Sequence, residues 1–489
     1  MATYVPLVNQ NTSEHNGESM ESWTLTSEKY VSRRDRLKAR AIAALPRFAQ
    51  PGGIKHRKIG PTSYLDALRG YAALAVFIAH IFNADVPTWR RQPFISVMFN
   101  GAGMVAIFFV ISGYALGCRM LMLIRRQESE KLLNALASST FRRYIRLYGS
   151  SVCAMVYAMI LVRLRVYKGM HQDMYKPTLW LQLVDFAGDV VNFCNPFGDI
   201  RGWVNPGVFD SSYLGVLWSI PVEYRGSIAL FAFCVGACKL STRARMISMW
   251  IIIVLCYIWQ ACYISEFMAG LFIADLSLSR HPERWMTSIP SQQPQQQSSN
   301  PSSSTSAATT ITTTPAHPSG RTTTPTFLNK VGLITLLLTG IILLGQPDRT
   351  DLGIWGPFPW KYLKSWEPYW WDKSGRHMFW LGPGAFMVCY ALEFYPSLQR
   401  PLNTRWSQYL GDLSFGIYVT HIPTTYSVYY RYLVPLRDRY WGNGYVAHFP
   451  GVVVCFLLIF AVSDYFARVD VRVVKVARWA QNRLFVQWH

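Results

Sequence analysis

Apolar residues dominate ten stretches of the chain, and polar residues fill the intervals between them. The stretches are 64–84, 97–118, 149–165, 214–238, 246–264, 266–279, 327–345, 377–395, 408–428 and 447–467. Most come close to the roughly 20 residues that a helix needs to cross a bilayer core. They are too long for strands. The Gly and Pro inside several of them are tolerated in a membrane, where neighbouring helices satisfy the freed backbone groups. The pattern predicts an all-α polytopic membrane protein with about ten transmembrane helices. The first 60 residues are polar and hold no early apolar core or small-residue cleavage site, so the first span is expected to serve as the insertion signal.

The intervals give the domain organisation. Residues 1–60 read as a mobile basic tail, 61–280 as a first membrane part of six spans, and 327–467 as a second part of four. Between them, 287–326 is Ser/Thr/Pro/Gln-rich with Arg321 as its one charged residue, so 281–326 reads as a disordered cytosolic loop. Residues 468–489 read as a basic cytosolic tail. The outer loop 346–376 holds Trp355, Trp360, Trp366, Trp370 and Trp371. An interfacial aromatic belt with a short re-entrant piece accounts for it, and a stacking platform for an acceptor is the sharper alternative.

Composition and charge narrow the class. The chain is 51% hydrophobic and 15% charged, against about 25% charged residues in a soluble domain. It is too apolar for one large soluble enzyme or for a disordered chain. The net charge of +21 would suit nucleic acid, acidic ligands or a membrane surface. With a cytosolic N-terminus, 31 Lys and Arg fall in inner segments and 15 in outer ones. The positive-inside rule therefore puts both termini in the cytosol, and the basicity is mainly topology. Nucleic-acid binding would want a clustered basic patch with a reading element, so the lipid bilayer is the expected partner and nucleic acid is not. The nine cysteines lie mostly inside spans, with Cys194 alone in an outer loop, which implies no disulfide framework. No Cys or His spacing suggests a metal.

Ionisable groups within spans are costly and point to function. In the first span, Ser63 and Asp66 have capping-box spacing, which makes capping the expected role of Asp66. Arg69 and His80 are eleven residues apart, on one helix face but about 16 Å apart along its axis. They cannot pair, and they mark two depths of one wall. Snorkelling for Arg69 and an interhelical hydrogen bond for His80 are the bland readings. In the second span Gly113 and Gly117 form a close-packing GxxxG face, and Ser112 and Tyr114 are candidate cavity-lining groups. Pro221 is expected to kink the fourth span, with Glu223 just after it. Glu223 and Arg225, two residues apart on a helix, need separate partners. In the ninth span Ser414, Tyr418 and His421 share one helix face. A set of core hydrogen bonds would explain these groups equally well. Taken together, however, His80, Glu223 and His421 fall in the middle to outer membrane. Arg69, Arg142, Arg143 and Arg146 lie at the cytosolic side. An enzyme that takes an anionic donor from the cytosol would be arranged so, provided spans 1, 4 and 9 are neighbours.

These residues carry a resemblance. Tyr64-Leu-Asp-Ala-Leu-Arg-Gly with Arg69-x10-His80, Phe108-Phe-Val-Ile-Ser-Gly-Tyr114, Phe141-Arg-Arg-Tyr-Ile-Arg146, Trp218-Ser-Ile-Pro-Val-Glu223 and Gly411-Asp-Leu-Ser-Phe-Gly-Ile-Tyr-Val-Thr-His421 occur in that order over about 64–470. The chain so resembles the membrane acyltransferase 3 family, and Pro-Val-Glu-Tyr-Arg-Gly looks like its fungal branch. It departs from the family at Leu147-Tyr-Gly149, where a Pro often follows the basic segment, and at Tyr224, where a second acid is frequent. The resemblance implies about ten transmembrane helices and transfer of an acyl group, often acetyl, from cytosolic acyl-CoA to a hydroxyl. No bound cofactor is expected; acyl-CoA is the donor substrate. His80 is assigned as general base, which suits an imidazole near neutral pH, with Glu223 as its orienting partner or an acceptor ligand. Arg69, Arg142, Arg143 and Arg146 would bind the donor's phosphates. Ser112, Tyr114, Ser414, Tyr418 and His421 would line the acceptor site or a cavity, with Tyr418 and His421 bonding the acceptor or the thioester oxygen. A small natural product is the expected acceptor, with O-acetylation of a cell-wall or secretory-pathway glycan as the alternative, and an endomembrane the expected location. A multi-span transporter using the same buried groups is the rival of another class.

Overall fold

A computed structural model describes residues 33–55, 57–82, 88–169, 173–196, 211–286, 326–347, 358–372, 375–442 and 444–485. Every regular element among them is helical. In chain order these are α1 Arg33–Ala44, α2 Ser63–Ile81, α3 Gly101–Arg125, α4 Ser129–Arg163, α5 Leu179–Phe193, α6 Ser219–Gly236, α7 Thr242–Ile258 and α8 Cys262–Arg280. There follow α9 Glu283–Met286, α10 Phe327–Leu344, α11 Trp360–Ser365, α12 Leu381–Phe394, α13 Arg405–Thr424, α14 Val434–Tyr440 and α15 Tyr445–Leu484. Between α13 and α14 the helix widens into a π-helical stretch, Thr425–Leu433, two residues after Pro423 removes a backbone donor.

Among the described residues, six helices are long and apolar enough to cross a membrane: α2, α3, α4, α8, α10 and α15. The other four apolar stretches are helical too, but each falls short for a visible reason. α7 has 17 residues and α12 has 14. α6 carries Glu223 and Arg225, and α13 carries Gln408, Asp412 and His421.

Small residues set the packing. α3 lies against α8 through the GxxxG face expected of it. A Cβ on Gly113 would sit 2.1 Å from the Phe267 carbonyl oxygen, and one on Gly270 would sit 2.0 Å from that of Val110. Gly340 of α10 and Gly384 of α12 meet in the same reciprocal way. Such contacts hold membrane helices together by close backbone approach.

The structure revises five local readings. Residues 119–148, the polar interval between the second and third apolar stretches, are not a loop between short spans: they continue α3 and begin α4, so Arg142, Arg143 and Arg146 share a helix with the third span. The interval holds good helix formers and no Gly or Pro. The basic tail after 467 is likewise helix up to Leu484, the end of the 40-residue α15. Residues 33–49, part of the segment expected to be mobile, form α1 and the 3-10 turn Arg47–Ala49 and are docked: Arg47 Nε donates to Asp464 Oδ1 at 2.6 Å, and Arg468 Nη2 to the Leu45 carbonyl at 2.7 Å. Asp66 does not cap α2. The N-cap is Thr62, with no side-chain capping bond, and Asp66 lies 3.5 Å from Arg69. Pro221 does not kink a span. It is the third residue of α6, where a missing N–H costs nothing, and the chain before it is the 3-10 turn Gly215–Trp218.

Of the loop tryptophans, Trp360 and Trp371 are buried, Trp366 and Trp370 are exposed, and Trp355 is outside the described residues. Residues 287–325 also lie outside them. All nine cysteines are free thiols.

Candidate active site

Two glycines from two motifs determine where the histidines meet. Gly70 of α2 and Gly411 of α13 remove side chains at the crossing. A Cβ on Gly70 would fall 2.5 Å from the Leu410 carbonyl carbon, and one on Gly411 2.6 Å from the Asp66 oxygen. His80 is ten residues beyond Gly70, and His421 ten residues beyond Gly411. Two helices in contact at the glycines and running the same way bring those positions to one depth. The two imidazoles are neighbours, with ring centroids 5.1 Å apart.

The His421 ring is fixed by its own helix. It is fully buried, and Nδ1 lies 3.0 and 2.8 Å from the carbonyl oxygens of Ile417 and Tyr418. Carbonyls only accept, so Nδ1 carries the hydrogen and, in the neutral ring, Nε2 is left with a lone pair. Nε2 is buried with no hydrogen-bond partner among the described residues. His80 is partly buried at the end of α2, where Tyr430 of the π-helical stretch bonds its carbonyl oxygen at 3.0 Å.

The row Ser414, Tyr418, His421 runs down α13 and joins it to α6. Tyr418 OH donates to the Val216 carbonyl at 2.8 Å and accepts from Ser219 Oγ at 2.7 Å. Ser414 is buried, and its Oγ has no partner among the described residues. Glu223, one turn beyond Ser219 on α6, is buried and engaged from two other helices, α3 and α4. Arg143 Nη2 donates to its Oε1 at 2.9 Å and Ser112 Oγ donates to the same oxygen at 3.1 Å. Arg143 Nε also donates to Ser227 Oγ. Arg225 turns away and donates to the Pro196 carbonyl. The residues two apart do have separate partners.

Arg143 thus reads differently from its neighbours. It pairs with Glu223 while staying within electrostatic reach of Arg69 and Arg146, toward the other end of α2. Arg146 lies 3.8 Å from Asp470 of α15 and within electrostatic reach of Arg69, and Arg142 lies within reach of Arg119 and Arg478. Arg478 belongs to this basic group although it reads as part of a tail in the sequence. Tyr114 is in a different neighbourhood from Ser112, beside Glu393. Glu393 accepts from Tyr64 OH at 2.5 Å, Ser277 Oγ at 2.6 Å and Arg284 at 2.9 Å, a buried cluster that joins α2, α8 and α12. Ser219, Ser227, Arg284 and Glu393 were not singled out from the sequence. Ser219 stood inside the Trp-Ser-Ile-Pro motif and could have been, whereas the partners of Glu393 are over 100 positions away.

The sequence placed His80 and His421 only by depth; in the structure α2 and α13 are direct neighbours and pair the two imidazoles, and α6 reaches α13 through the Ser219–Tyr418 hydrogen bond. The chain belongs to the acyltransferase 3 family, whose acyltransferase domain matches residues 62–468. Among its relatives, O-acetyltransferase PaAT-1 of Phomopsis amygdali is 25% identical over 472 residues, covering 90% of this chain and 88% of that protein. Acyltransferase R4 of Phoma sp. (strain ATCC 20986 / MF5453) is 20% identical and acyltransferase clz18 of Cochliobolus lunatus 21%. Each covers 74% of this chain and 82% of its own. No solved structure matches the chain.

Proposed function

We propose that the chain is an integral membrane O-acyltransferase that moves an acyl group, acetyl in the first instance, from acyl-CoA to a hydroxyl of a small natural product. The observation that carries this reading is the His80–His421 pair, held by the Gly70–Gly411 crossing at the far end of α2 from Arg69. Arg69, Arg142 and Arg146 hold the donor's phosphates, since guanidinium suits phosphate oxygens. His80 takes the proton of the acceptor hydroxyl as its oxygen attacks the thioester carbonyl. The new C–O bond forms, the C–S bond breaks, and the proton passes to the departing thiolate of CoA. Ser112, Ser414, Tyr418 and His421 contact the acceptor, and Glu223, anchored by Arg143, sets the polarity around His80. Tyr114, beside Glu393, is retained as a lining group of the donor end.

In this reading α6, α7, α12 and α13 also cross the bilayer, which gives ten spans with both termini in the cytosol, in an endomembrane. Their polar and shorter sequences are accommodated by neighbours. The name of PaAT-1 supports acetyl as the group. The test is transfer of label from acetyl-CoA in membranes carrying the chain. The acceptor is to be found by comparing metabolites and cell-wall glycans with and without the gene. His80→Ala protein that inserts normally is expected to transfer no label; full activity in that variant removes the base assignment. Solute uptake by proteoliposomes without acyl transfer would replace the enzyme reading by a transporter.

A further inference from the structure

Helix α5 is built inside out. Its inward face is 182, 185, 186, 189, 190 and 193, and this face carries all of its strongly polar or charged groups except Asn192. Gln182 is fully buried. It donates to Tyr213 OH at 2.6 Å and to the Met174 carbonyl at 3.0 Å, and accepts from Lys176 N at 3.0 Å. Asp185 accepts from Tyr213 OH at 2.9 Å and lies 3.0 Å from Lys176 Nζ. Asp189 accepts from Ser211 Oγ at 2.5 Å and from Ser212 N at 3.0 Å. The outward face is Leu179, Trp180, Leu181, Leu183, Val184, Ala187, Gly188, Val191 and Asn192. Trp180 is 72% exposed and Val191 70%. A helix facing water shows the reverse pattern, and a contiguous exposed apolar face marks contact with something apolar.

Position identifies the occupant. α4 is one of the six membrane-length helices, and its apolar run ends at Arg163. Arg163 Nη1 donates to the Lys176 carbonyl at 2.9 Å, and the Arg163 and Arg165 guanidiniums lie over the Tyr175 ring. The start of α5 is therefore tied to the end of a membrane helix, next to a cationic and aromatic group of the kind that sits at lipid headgroups. Its 15 residues extend about 22 Å, too little to cross a core of about 30 Å. We propose that α5 lies in the membrane interface, with Leu179, Trp180, Leu183, Val184 and Val191 in the acyl-chain boundary of the bilayer. Through Asp189 and Tyr213 its polar side then holds the stretch 211–213, which leads directly into Gly215–Trp218 and α6.

The test uses the full chain in phosphatidylcholine vesicles and two chemical probes. N-ethylmaleimide reacts with hydrated thiolates, and a bilayer-partitioning aryl diazirine labels what faces lipid. Peptide mass spectrometry separates each site from the native cysteines. Val184→Cys and Trp180→Cys are expected to react with maleimide at least ten-fold slower than Lys131→Cys, whose side chain is 70% exposed. The diazirine is expected to label residues 179–191 of the unsubstituted chain. Reaction of Val184→Cys as fast as Lys131→Cys overturns the proposal. So does an α5 that neither reagent labels, because protein would then cover the face, whether another part of the chain or a second copy. The diazirine measurement needs no substitution, so a variant that fails to fold leaves the proposal open to refutation.

Discussion

Arg143 of α4 and Glu223 of α6 form a buried ion pair, Nη2 to Oε1 2.9 Å, with side chains 6% and 3% exposed. Removing one partner leaves an uncompensated charge in an apolar domain, at a cost of about 3–5 kcal/mol. Glu223→Ala is therefore expected to lower the thermal midpoint of the purified protein clearly more than Glu223→Gln, whose amide oxygen still accepts from Ser112 and Arg143. The double variant Arg143→Met with Glu223→Met removes both charges and is expected to regain most of the lost stability but no acyl transfer. Activity that returns along with stability would reduce Glu223 to a structural role.

The Gly70–Gly411 crossing makes a second prediction. Backbone atoms stand 2.5 and 2.6 Å from the would-be Cβ positions, and backbone cannot give way as a flexible side chain can. Alanine at either glycine forces α2 and α13 apart and shifts His80 relative to His421. A misplacement of about 1 Å can cost about 100-fold in rate. Gly70→Ala and Gly411→Ala are expected to lose acyl transfer on that scale at matched membrane levels. Gly236→Ala, with nothing within 4 Å, is the control and should be unchanged. Equal activity of all three variants would remove the crossing from the argument.

These two sites also show what the sequence makes legible. Arg69 with His80, and Ser414 and Tyr418 with His421, are local patterns of fixed spacing, so both histidines could be singled out before the crossing at Gly70 and Gly411 was known. The GxxxG face of α3 was legible for the same reason. Element boundaries were not: apolar runs mark the membrane portion of a helix, whereas α3, α4 and α15 continue into polar sequence that forms helix equally well. Long-range partners were not legible either. Arg47 and Asp464 are 417 positions apart, and no spacing rule links them. Nor could hydropathy say that α5 turns its carboxylates inward, because that depends on Tyr213, Ser211 and Lys176 being there to receive them.

The docked N-terminal segment makes a third prediction. Asp464 is fully buried and accepts from the Arg47 backbone at 3.1 Å, Arg47 Nε at 2.6 Å, Tyr409 OH at 3.1 Å and Arg468 at 3.2 Å. Burial works against the Arg47 charge, but the Asp464 and Asp412 carboxylates outweigh it and hold the guanidinium pKa above its ordinary value. Arg47→Met removes the central cation, and loss of a charge-assisted hydrogen bond costs about 1.5–3 kcal/mol. Trypsin is expected to cut the variant faster at Arg40 and Lys55, while α15 stays protected. Unchanged cleavage would mean that Arg468 and Tyr409 suffice to hold the segment.

His421 offers the prediction that separates chemistry from packing. Its Nδ1 hydrogen is committed to the carbonyls of Ile417 and Tyr418, so the neutral ring can only accept at Nε2. A buried nitrogen that only accepts serves a hydroxyl or a protonated neighbour, and cannot serve the thioester oxygen, which needs a donor. His421→Phe fills the space and removes the lone pair. On the proposed reaction its rate is expected to fall by about 100-fold or more, the usual scale for an acid–base group, with binding of the proposed acyl-CoA donor unchanged because Arg69 and Arg146 are at the other end of α2. His421→Gln retains an accepting oxygen and is expected to keep more activity than the Phe variant. A Phe variant with wild-type turnover would make His421 a core residue. A variant that loses donor affinity instead of turnover would place the donor, not the acceptor, against the two imidazoles.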